Sequence, residues 1–274
     1  MSKLKKALEK AKEARKNSME VPIIDREPIS SPLQKLSTIN QGKRFDKVNP
    51  TYHHTKVQHI DFQNLEKNKI ISICHGNEVA DRIKILRTQI LQYLKEVHGN
   101  SLLIASANPG EGRTVAAINL AIALSQQIDG TVLLVDADLR KPSVHSLLSL
   151  DVDRGLSDYL RGKAEIHELM IYPGIPRLVV LPGGKPLPNS SELLGGPQMQ
   201  YLVQEMKERY ADRYIIFDSS PILTSADPLV LSRLVDGILL VVEAEKTNKD
   251  DLQRTIELLR DKPIIGTVFN KAKL

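Results

Sequence analysis

The sequence predicts an α/β fold: a mostly parallel sheet with helices on both faces, preceded by a disordered or partly helical N-terminal arm. Three observations carry this prediction. From residue 69 onward, strand-sized apolar runs alternate with longer helical patterns, as in sheets built from crossover units. One run, Leu102–Ala105, leads directly into the glycine-rich stretch Ser106-Ala107-Asn108-Pro109-Gly110-Glu111-Gly112-Arg113-Thr114, and a helical pattern follows. Two further runs end in aspartates, at Asp136-Ala137-Asp138 and at Asp218, where a parallel sheet places its ligands.

The elements are expected in this order. Strands fall at 69–74, 101–106, 131–136, 178–182, 213–218, 236–242 and 264–269. Long helices fall at 77–96, 114–127, 197–210 and 248–260, with short ones near 143–148, 156–161, 165–171 and 227–234. Residues 1–16 read as a basic amphipathic helix with Leu4, Leu8 and Ala11 on one narrow stripe. Residues 17–68 read as a polar flexible linker, carrying Pro22, Pro28, Pro32 and Pro50 without periodicity. Residues 69–274 form the expected nucleotide-binding domain.

Charge separates the arm from that domain. Residues 1–60 carry 13 Lys/Arg against 6 Asp/Glu, whereas the remainder carries 25 against 27. The basicity thus belongs to the arm, which suits an acidic partner, an anionic membrane surface or a nucleic acid, or merely keeps the chain soluble. No apolar run approaches the ~20 residues of a membrane span. The single cysteine, Cys74, excludes an internal disulfide framework and reads as a space-filler in the 69–74 strand. His53, His54 and His59 lack cysteines or helical spacing and read as incidental rather than metal-binding.

The chemistry concentrates on the loop and the acidic strand ends. Glycines let the loop turn tightly and aim its N–H groups at phosphate oxygens, at the positive end of the next helix. Asn108, Pro109, Gly110, Glu111, Gly112, Arg113, Thr114 and Val115 are therefore the candidate binders of ATP, with Mg²⁺ as its companion ion. Thr114, Asp136 and Asp218 are candidate metal ligands. Asp136 and Asp138, two apart in an extended chain, face one site and orient or deprotonate an attacking hydroxyl, with Arg113 as the cationic partner. A lone aspartate at a strand end also reads as a cap; three beside a phosphate loop favour a site. Asn270, past the last strand, reads either as a base-facing residue or as a turn residue.

In order, these motifs resemble the bacterial tyrosine kinases of capsule and exopolysaccharide assembly, relatives of the deviant phosphate-loop ATPases that partition chromosomes. The likeness runs over roughly residues 70–270. It includes SANPGEGRT, LLVDADLRKP and FDSSP, and also Gly155-Leu156-Ser157-Asp158-Tyr159-Leu160, Leu181-Pro182-Gly183-Gly184 and Ser190-Ser191-Glu192-Leu193-Leu194. Asn108 stands where partitioning ATPases carry an extra lysine, and the absence of that lysine, with Pro109 following, favours the kinase branch. The opening helix is similar to kinases tied to exosortase-linked polysaccharide loci.

The resemblance implies a cytoplasmic tyrosine autokinase held at the inner membrane by a chain-length-determinant, or co-polymerase, protein, without a span of its own and without a nucleic-acid partner. It also implies a homo-oligomeric ring assembled through Asp81, Lys84 and Arg87, which otherwise read as a solvated helix face.

Three departures stand out. Arg113 replaces the usual lysine and presents a wider, planar fork. Ser220 stands where proline is usual, and none of the seven tyrosines lies beyond Tyr214. These departures leave a nucleotide-binding pseudokinase or scaffold, and more distantly a partitioning-type ATPase, as the alternatives.

Overall fold

A computed structural model describes residues 56–60, 62–73, 77–127, 130–209 and 212–273. The expected basic helix 1–16 and most of the linker lie outside the described residues, as does Cys74.

Eight strands make one sheet: β1 (Lys56–Val57), β2 (Ser101–Ser106), β3 (Thr131–Asp136), β4 (Ile171–Tyr172), β5 (Leu178–Leu181), β6 (Arg213–Asp218), β7 (Gly237–Glu243) and β8 (Ile264–Asn270). Their order is β1-β4-β5-β3-β6-β2-β7-β8, and among the described residues only the β4–β5 pairing is antiparallel. Side chains alternate across the sheet, so its central strands feed two cores. Leu102 and Ile104 join one core with Ile90, Ile118 and Ile122, from helices Glu78–Glu96 and Arg113–Ser125. Leu103 and Ala105 join the other with Met199, Leu202 and Val203, from helix Pro197–Glu208. Both faces are covered, as the sequence predicts.

Local signals set the helix starts. Asn77 caps Glu78–Glu96 by accepting from the amides of Val79 (2.9 Å) and Ala80 (3.4 Å). Asn248 caps the last helix, Lys249–Leu258, by accepting from Asp251 N at 2.7 Å. Helix Arg113–Ser125 has no such cap: it starts from Gly112 in the left-handed region, with no side-chain acceptor for its first amides.

Three expectations are corrected. The linker does not reach residue 68, because Lys56–Val57 pair with Ile171–Tyr172 and Phe62–Lys67 is a helix. Ile60, Leu65 and Ile70 are buried in the first core, which anchors a stretch whose polar composition conceals it. Residues 69–73 are not a strand. Asn119, on helix Arg113–Ser125, accepts from the amides of Ile71 (2.8 Å) and Ser72 (2.9 Å) and donates to Lys69 O (2.9 Å). That side chain satisfies backbone groups a neighbouring strand would otherwise take. Finally, the helix expected over 165–171 stops at Leu169, and Ile171–Tyr172 become a short strand.

Candidate active site

Strand order brings the acidic ends together. β6 lies between β3 and β2, and Asp136 and Asp218 are register partners. The glycine-rich loop leaves the end of β2, next to β6 on its other side. A cavity of about 560 Å³ opens there, lined by the loop from Pro109 to Val115 and by Asp138, Arg140, Lys141 and Ser143. Ser220, Pro221 and Thr224 also line its wall.

The loop is braced from outside. Glu111, almost fully buried, accepts from Asn108 N (3.1 Å) and from the Thr247 hydroxyl, while Asn108 Nδ2 donates to Asp251 (2.8 Å). Asn270 donates to Glu111 O (2.9 Å) and Lys271 to Gly110 O (2.7 Å). These bonds pull two loop carbonyls outward. Gly112, at φ +87°, admits no side chain: a Cβ there would collide with Asn270 Nδ2. Asn108 and Asn270 thus hold the loop rather than line the cavity.

Arg113 does not extend along the loop. Its Nε donates to Asp218 Oδ1 (2.9 Å) and its Nη2 to Asp138 Oδ2 (2.8 Å), with all three residues buried. Burial alone would weaken the guanidinium's hold on its proton. The Asp218 and Asp138 carboxylates more than reverse this and raise it above the ordinary arginine value. Asp218 is raised by burial, against the opposing pull of Arg113 and of the Thr114 hydroxyl. Asp136 is pushed well above the usual carboxylate range, first by burial and then by the Asp218 charge. Its Oδ2 accepts from Ser143 N (2.9 Å) and Val144 N (3.0 Å), but its buried Oδ1 has no partner.

The orphaned Oδ1 and the uncapped helix start fit an anion with a companion cation. Among the described residues, no group of three or more His, Cys, Asp or Glu could hold a metal alone.

The proposed assembly residues share the Glu78–Glu96 helix. Lys84 and Asp81 pair with each other at 2.7 Å on its exposed face. Arg87 instead donates to Ala123 O (3.0 Å), near the negative end of helix Arg113–Ser125. Sequence reasoning missed Arg140, Lys141, Ser143 and Thr224 as cavity wall. Arg140 and Lys141 lie in the quoted stretch LLVDADLRKP, just past Asp138, whereas Ser143 and Thr224 carry no recognisable spacing and only the fold brings them beside the loop.

A parallel sheet whose glycine loop opens a helix beside buried strand-end aspartates defines a P-loop NTPase fold. A family model described as an AAA domain matches residues 100–264. Tyrosine-protein kinase YwqD of Bacillus subtilis (strain 168) is 35% identical over 197 residues, which are 71% of this chain and 82% of that protein. The chain belongs to the bacterial tyrosine-protein kinase family. Tyrosine-protein kinase ptk of Acinetobacter johnsonii is 29% identical over 76% of this chain, but the match spans only 29% of that longer protein. Among solved structures, the chimerical protein CapA2B2 superposes with TM-score 0.70 at 26% identity, covering 83% of this chain and 96% of that one. Among the described residues, no helix is long and apolar enough to cross a membrane.

Proposed function

We propose that this chain binds ATP with Mg²⁺ and acts as a tyrosine autokinase. In this reading it regulates polymerisation and export of an exopolysaccharide or capsule, at the inner membrane, with a membrane chain-length-determinant partner. The observation that supports this best is that Asp138 lines the cavity beside an uncapped helix start, with Asp136 and Asp218 buried behind it as register partners at the ends of β3 and β6. Loop amides from Gly110 to Thr114 would hold the phosphates. Thr114, Asp218 and Asp136 would hold Mg²⁺, which, when bound, offsets the phosphate charge. Asp138 is the carboxylate that reaches the cavity wall, so it is the one placed to orient an acceptor hydroxyl and take its proton. Asp81 and Lys84 remain on an exposed face where a second copy of the chain can meet them.

One observation favours the pseudokinase alternative: Nε and Nη2 of Arg113 are already engaged by two carboxylates. Purified full-length chain, incubated with Mg-ATP and its membrane partner, should yield phosphotyrosine by mass spectrometry. Calorimetric binding of Mg-ATP with no phosphotyrosine would replace the kinase by the pseudokinase; no binding would remove both.

A further inference from the structure

The stretch Ser190–Leu194 is a short helix whose serines have no part in the site described above. Both serines turn onto one carboxylate. Ser190 Oγ donates to Asp227 Oδ2 (2.7 Å) and Ser191 Oγ to Asp227 Oδ1 (2.5 Å), and Asp227 is fully buried. Arg140, from the cavity wall, completes the group: its Nε donates to Ser190 Oγ (3.3 Å) and lies 3.7 Å from Asp227 Oδ2.

The geometry leaves Arg140 half used. Its side chain is 41% exposed and lines the cavity together with Asp138 and Arg113. Among the described residues neither of its Nη groups has a partner. A guanidinium held at Nε has a fixed plane, and its two outer amino groups present the geometry that a phosphate accepts. Arg113 cannot supply this while its Nε and Nη2 are bonded to Asp218 and Asp138. Lys141, also on the wall, carries a flexible point charge.

We propose that Arg140 is a phosphate-binding residue for the terminal phosphoryl group handled in this cavity. Asp227, acting through Ser190, is its positioning residue. The ligand chemistry is a phosphoryl dianion, and its primary source is the nucleotide's last phosphate; this rests on the nucleotide reading above. The second source is a phosphotyrosine product.

The test is calorimetry on the full chain with Mg-ATP, Mg-ADP, inorganic triphosphate and phosphotyrosine. Arg140→Ala should weaken Mg-ATP about tenfold, the scale of about 1.4 kcal/mol, and leave Mg-ADP within about twofold. Ser190→Ala should move Mg-ATP in the same direction by less. Arg140→Lys should not restore binding, because an ammonium has no Nε to be held. Asp227→Asn is checked by thermal melting, and Ser190→Ala serves if that variant does not fold. Weakening confined to phosphotyrosine would keep the phosphoryl site and assign it to the product. Equal losses for ATP and ADP, or unchanged affinity for every probe, would overturn the proposal. Should the wild type bind neither nucleotide, the nucleotide reading falls separately, and triphosphate and phosphotyrosine still decide Arg140.

Discussion

At the amino-terminal end of the sheet, Asp236 accepts from the amides of Asn100 (2.9 Å) and Ser101 (3.0 Å), the Ser101 hydroxyl (2.7 Å) and Lys207 Nζ (2.6 Å). At the opposite end, Asp136 has one oxygen bonded and one orphaned, beside a second buried carboxylate. Burial pushes both upward. At Asp236 the donors of Lys207, Ser101 and Asn100 overcome it and hold the carboxyl below its usual value; at Asp136 nothing does. The same residue type is a fully satisfied tie at one end and an unsatisfied group at the other. The first serves stability, and the second leaves capacity for a ligand.

Arg113→Ala should produce the largest effect. It leaves Asp138 and Asp218 buried without their cation, a loss of about 3–5 kcal/mol for a broken buried pair. Urea denaturation measures it. A loss under about 1 kcal/mol would mean that the cavity end tolerates bare carboxylates, and the contrast between the two ends would collapse.

Asp236→Ala should cost less, about 1.5–3 kcal/mol, because it strands neutral donors at the amino-terminal end of β2 rather than bare charges in the deep core. Its pH dependence has a definite sign. A carboxyl held low stabilises the fold above its unfolded value and stops doing so as pH falls through the lower folded one. The wild type should therefore lose more stability than Asp236→Ala does below about pH 4.

Asp136→Asn should be the smallest change and of opposite sign, a gain of about 1 kcal/mol at neutral pH with loss of nucleotide-dependent function. A carboxyl held high favours the fold below its unfolded value, and that advantage is lost as pH rises through the folded one. Thermal melts from about pH 4 to 8 should be flatter in Asp136→Asn than in the wild type. A steeper profile would reverse the assignment of Asp136 as the strained carboxylate.

Six strands were legible because each is an apolar run ended by a turn or an acidic residue. The short strands Lys56–Val57 and Ile171–Tyr172 were not: two residues carry no period, and the first pairs with a partner far away in sequence. Ile70 to Ile73 imitate a strand until Asn119 claims their backbone. In the site, the carboxylates at 136, 138 and 218 were readable from their places at strand ends. The platform under Arg140 was not, because Ser190 and Asp227 are 37 residues apart.

The sequence by itself determined the order of the six longer strands and the long helices, the glycine loop, and which strand ends are acidic, since these depend on local pattern and spacing. Only the tertiary structure decided where long side chains end. Arg113 turns from the loop to Asp138 and Asp218 because two buried charges across the sheet need a cation, and Asn270 reaches back to brace the loop. Both outcomes are set by neighbours distant in sequence, whose positions no local pattern encodes.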